Sequence, residues 1–243
     1  MPRILVRIAV GGLTVGVVSL AIAWAIAGRD LRTMIAEERL GWRSCGDDAV
    51  VAAAGPERRL PWTGGDTIEV VTPVPLTLIA SDGGDVVLRG APDTIAHLRL
   101  RGGRLFSCGR PGAGPVDIEL PARALRHVRI SGAGAVTLEK LSQRELGLAI
   151  SGSGDIQAQG TVERVSADIS GSGNVRLADL ALKRLRTKIS GSGRVEAGPT
   201  DEADIHLSGA GTVKLLTRPA ALHTKVSGAG RILQPSVESA DKK

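Results

Sequence analysis

Aromatic residues are nearly missing from this 243-residue chain: tyrosine is absent, phenylalanine occurs once and tryptophan three times. A core built on packed rings is therefore excluded, and whatever the chain buries has to be small and aliphatic. Platforms for stacking bases are missing with the rings. The basic residues behind the formal charge of +6 are dispersed rather than gathered into a stripe, so nucleic acid is not an expected partner. Only two cysteines occur, Cys45 and Cys108, and they lack metal-ligand spacing. In an extracytoplasmic compartment the two are candidates for one disulfide. No nucleophile elbow, P-loop or dinucleotide fingerprint is found, which leaves the many serines without the context that activates or aims them.

What the chain has instead is glycine, 32 residues of it, and a phrase that repeats. Ser-Gly-(Ala/Ser)-Gly begins at Ser131, Ser151, Ser170, Ser190, Ser208 and Ser227, with spacings of 20, 19, 20, 18 and 19 residues. A period of about this length is one coil of a β-solenoid. The residue before each serine is aliphatic: Ile130, Ile150, Ile169, Ile189, Leu207, Val226. Five after it stands a β-branched residue: Val136, Ile156, Val175, Val195, Val213, Ile232. Leu138, Ala158, Leu177, Ala197 and Leu215 follow two further on, broken at Gln234. Five before the serine come Leu146, Val165, Leu185, Ala203 and Leu222, with Arg126 the exception. All these positions share one parity, the signature of strands with one buried face, and the intervening positions are small or polar. The glycines fall at inward parity and are assigned to a corner.

Along the chain, residues 8–27 run twenty positions without a charge behind Arg3 and Arg7. At about 1.5 Å per residue such a segment spans the roughly 30 Å of a bilayer. The expected organisation is an N-terminal transmembrane anchor or signal sequence over 1–28, with an uncleaved anchor preferred. A juxtamembrane helix and linker over 29–65, a β-solenoid over 66–235 and a polar tail over 236–243 follow it. Worn copies of the repeat around 76–88 and 96–106, with a Gly/Pro insertion at 107–115, bring the count to about eight coils.

The phrases ISGSGDI (150–156) and ISGSGNV (169–175) resemble the hallmark of the putative auto-transporter adhesin, head GIN domain family. ISGSGRV, LSGAGTV and VSGAGRI keep the frame without the acid, and the resemblance covers roughly residues 66–234. It implies a right-handed single-stranded parallel β-helix, a cell-envelope location and an adhesion or scaffolding role. The period wanders and the aliphatics do not recur every six residues, which excludes a left-handed acyltransferase helix.

Six equivalent serines point to a ladder of hydroxyls rather than to one nucleophile. Neither catalytic nor cofactor-binding nor metal residues are assigned. His127 and His223 share a slot five coils apart, and His206 lies on the polar face. Asp155 and Asp168, with Glu163 nearby, are the carboxylates on which an alternative reading rests, a β-helical carbohydrate-processing enzyme. The preferred reading is a non-enzymatic, membrane-anchored envelope module with a surface glycan or protein as ligand. One strip of small residues is singled out as an expected seam between identical rods: Ser131, Ala133, Ser151, Ser153, Ser170, Ser172, Ser190, Ser192, Ser208, Ala210, Ser227 and Ala229.

Overall fold

The computed structural model of the chain describes residues 55–235. Four strands open it: β1 (Glu57–Pro61), β2 (Thr67–Val71), β3 (Leu76–Ser81) and β4 (Asp85–Gly90). A six-residue helix, α1 (Pro92–His97), precedes β5 (Leu98–Arg101), β6 (Arg104–Ser107), β7 (Val116–Pro121) and β8 (His127–Gly132). Four long strands form the body: β9 (Ala135–Gly152), β10 (Asp155–Gly171), β11 (Asn174–Gly191) and β12 (Arg194–Gly209). The last coil is split into β13 (Thr212–Leu215) and β14 (Ala221–Gly228), and β15 (Arg231–Leu233) ends the sheet.

The long strands stack parallel and in register, each coil lying on the one before it. Each carries two faces. One follows the Ser-Gly-x-Gly corner and is continued by β3, β13 and β15. The other precedes the next corner and is continued by β2, β8 and β14. Between the faces the chain bends, with Lys140 at φ 56° in β9 and Gly160 at φ 128° in β10, where the ladder register shifts.

The aliphatic columns are the core. Ile130, Ile150, Ile169, Ile189 and Leu207 are buried, as are Val136, Ile156, Val175, Val195 and Val213 in the column beside them. Each fully buried branched side chain contributes about 1.5–3 kcal/mol, and only the coils above and below remove it from water. Thr187 takes an inward slot and is buried, and its hydroxyl donates to the Ala167 carbonyl at 3.0 Å. The column that failed at Arg126 is filled by Leu125, which a 3₁₀ turn (Ala122–Leu125) brings inward while Arg126 faces solvent.

Several expectations are corrected. The solenoid has about five turns, not eight, because the worn copies do not coil. β4 runs antiparallel to both β1 and β7. β5 and β6 form an antiparallel hairpin. Its turn is Gly102-Gly103 with both φ positive, the two-residue connection that matches strand twist. Residues 57–61, read as linker, are a strand. Arg89 ties this cap together, reaching Glu57 at 3.2 Å and Glu119 at 2.5 Å. Hydrogen bonds from Arg59 and then Arg89 hold the Glu57 carboxyl below its ordinary range. The expected membrane-spanning helix and membrane anchoring find no support in the structure: no helix among the described residues is long and apolar enough to cross a membrane. The segment 8–27, residues 29–54 of the expected juxtamembrane helix and linker, and the tail 236–243 lie outside the described residues.

Candidate functional site

The repeated phrase builds a corner whose two glycines have different duties. The first of each pair has positive φ, between 110° and 130° across the six copies. From Gly152 onward a side chain there would also strike the backbone below, since a Cβ on Gly171 would collide with the Gly152 oxygen. The second glycine is buried in the first five copies and half-buried at Gly230, and it makes room for the aliphatic of the preceding coil: a Cβ on Gly173 would lie 2.6 Å from Ile150 Cγ2. Backbone bonds then climb the corner. Ser153 N donates to Gly132 O, Ser172 N to Gly152 O and Ser192 N to Gly171 O, each at 2.9 Å.

This corner holds the serines in two columns. Ser131, Ser151, Ser170, Ser190, Ser208 and Ser227 are register partners from coil to coil. Ser151, Ser170, Ser190, Ser208 and Ser227 are exposed, and Ser131 is half-buried and donates from its Oγ to Glu69 Oε1 at 3.0 Å. Ala133, Ser153, Ser172, Ser192, Ala210 and Ala229 sit at the tip of the corner and are exposed. The structure thus brings the twelve strip residues into two adjacent columns.

Beside the first serine column lies a shallow trough of about 640 Å³, with Ser131, Ser151, Ser170 and Ser190 along one side. The column two residues ahead of the serines reads, in register, Glu69, Arg129, Ala149, Asp168, Lys188, His206 and Lys225. Opposite charges are neighbours at Glu69 and Arg129 and again at Asp168 and Lys188, and between the two pairs the small Ala149 leaves the floor open. Next to Ala149, Gly147 is half-buried under the ring of His127, where a Cβ would meet Nδ1. Sequence reading missed this trough. Its only signal was that Gly147 and Ala149 are small where the neighbouring coils carry polar or charged residues.

The three carboxylates of the enzyme alternative are not brought together. Asp155 lies on the face after the corner and accepts from Asn174 Nδ2 at 2.7 Å. Asp168 lies on the trough face, beside Lys188. Glu163 is exposed among Arg126, Gln143, Arg144, Glu145 and Arg164 near the bend. His206 Nδ1 lies 3.2 Å from Asp204, and no group of histidine, cysteine or carboxylate side chains among the described residues could hold a metal ion. Cys108 is buried and disulfide-bonded, and Cys45 lies outside the described residues.

A family model described as putative auto-transporter adhesin, head GIN domain, matches residues 63–219. A solved structure of a putative adhesin from Bacteroides fragilis is 18% identical over 74% of this chain and 96% of its own, with a TM-score of 0.56. A putative adhesin and a putative lipid binding protein, both from Parabacteroides distasonis, are 15% and 16% identical over the same shares, at TM-scores of 0.47 and 0.45. At these identities the first likeness speaks to the fold alone. No curated protein matches the chain.

Proposed function

The chain belongs to the putative auto-transporter adhesin, head GIN domain family, and from that premise we propose that it is a non-enzymatic, adhesin-like β-solenoid interaction module of the cell envelope. The observation that carries this reading is the in-register ladder of exposed serines beside the open trough. Repeating coils present the same hydroxyl about every 4.8 Å, with charged side chains of both signs next to it. A stiff polar polymer or an extended protein segment can pair with such a ladder at several rungs, as solenoid proteins commonly bind along their length. A glycoside hydrolase would instead need two carboxyl groups facing one glycosidic bond, and Asp155 and Asp168 stand on different faces of the coil.

The ligand class is a surface glycan or protein, bound through the trough. Glycan and protein arrays probed with the full-length chain test it, followed by Ser151→Gln and Ser170→Gln, which fill the trough from its serine side. A bound class should lose affinity in both variants while the melting temperature holds. Unchanged binding would remove the trough from the reading. Reproducible glycan cleavage that disappears in Asp155→Asn or Asp168→Asn would overturn the non-enzymatic assignment altogether.

A further inference from the structure

The far end of the solenoid breaks three regularities at once. Backbone pairing stops there: among the described residues β14 pairs only with β12, and β15 only with β13. The core column also surfaces. Val226 is 46% exposed although its five counterparts are buried, and Leu233 is 50% exposed, the two large apolar side chains so exposed among the described residues. Lastly, the charge loses its balance. Residues 216–235 contain Arg218, His223, Lys225 and Arg231 and neither aspartate nor glutamate. The coil beneath holds four acids over 194–215, pairs charges across rungs, Lys214 with Glu196 at 2.7 Å, and sets His206 Nδ1 3.2 Å from Asp204 within its own strand. Lys225, by contrast, has His206 as its register neighbour below and no described strand above.

From these we infer that the last coil is a docking edge for an extended partner strand in which acidic and aliphatic residues alternate. Among the described residues the edge leaves a row of backbone donors and acceptors without a strand partner, as sheets do when they capture a peptide by strand addition. Alternation then does the sorting. Side chains of one parity extend the inward column over Leu222 and Val226, and those of the other meet His223 and Lys225 on the outer face. An acid at the outer positions continues the pairing of charges that the lower coils make within the chain.

A second copy of the chain fits the edge less well. Two such ends meeting head to head would set Lys225 and Arg231 against the same cations, and like charges across a strand pair repel. Head-to-tail stacking has no matching partner either, because β1, β4 and β5 at the other end are antiparallel.

The probe is a fluorescein-labelled peptide, acetyl-(Glu-Val)4-amide, titrated into the full-length protein by fluorescence anisotropy. Saturable binding is expected, weakened about tenfold or more by Lys225→Gln combined with His223→Gln, the loss of the polar contacts to the peptide's acids. Val226→Ser should weaken it as well without lowering the melting temperature, since that side chain is already half exposed. Methylating alternate peptide nitrogens should abolish binding. Four results would overturn the inference: no saturable binding; the (Lys-Val)4 or N-methylated peptide binding equally; a sulfated oligosaccharide competing while Val226→Ser has no effect; or binding that appears only after truncation beyond Pro235, which would assign the edge to the chain's own end. Self-association that Val226→Ser abolishes would give the edge to a second copy and overturn it too.

Discussion

At the residue scale, the corner glycines meet two separable constraints, and the six copies are a built-in comparison. Gly132 has φ 110° but open space where a Cβ would stand, whereas Gly171 has φ 123° and the Gly152 oxygen in clashing range of that position. Gly132→Ala should therefore cost only the left-handed backbone penalty, about 1–2 kcal/mol. Gly171→Ala adds a clash with backbone that two stacked coils hold fixed, and should cost about 3 kcal/mol or more. Urea denaturation of the two variants decides it, and equal losses would show that the carbonyl contact is not limiting. Ile169→Asp places an unpaired charge in a side-chain site only 2% exposed. A cost of several kcal/mol is expected there, enough to remove the cooperative transition. A variant melting like the parent would mean that the column does not face inward.

At the scale of the element, a coil is stable in proportion to the coils that cover it. Val175 lies between two neighbours and is 1% exposed, while Val226, in the last coil, is 46% exposed. Val175→Ala should cost about 2 kcal/mol through lost transfer energy and the cavity left behind. Val226→Ala should fall within about 0.5 kcal/mol of the parent, as surface changes do. Chemical denaturation of both single variants checks this, and a large loss at Val226 would mean that the end is covered. At the opposite end the same exposure is avoided by changing strand direction. The Gly102-Gly103 hairpin and the antiparallel strand β4 close the stack with pairings that a further coil cannot extend in parallel.

At the scale of the whole molecule, the corner-tip column of the small-residue strip is proposed as the seam along which identical rods pack, with the serine column beside the trough left to the ligand. The corner tip carries nothing larger than serine at 133, 153, 172, 192, 210 and 229, and its backbone is fixed by bonds to the coil below. Replacing Ser153, Ser172 and Ser192 together with Gln adds bulk to the tip without touching the inward columns. Sedimentation analysis should show an oligomer in the parent falling to monomer in the triple variant, with melting still cooperative. A parent protein that is monomeric at high concentration would remove the seam.

Local pattern alone was enough to specify the solenoid over residues 127–233, the inward columns and the corner. Each rests on local pattern: parity places a side chain inside or outside, and a glycine every coil permits the positive φ that turns the chain. Parity cannot tell a parallel neighbour from an antiparallel one, because both alternate with period two. The worn copies at 76–88 and 96–106 therefore carried the right alternation into the wrong topology, and only their tertiary partners turned them into a cap. The trough is likewise a product of stacking. Gly147 and Ala149 are unremarkable along the chain, and become a floor only because register sets them between His127 and Arg129 on one side and Ser166 and Asp168 on the other. The open cationic end was written in residues 216–235, but that it is an edge depends on what does not pair with it. That is a property of the assembled sheet and not of any segment.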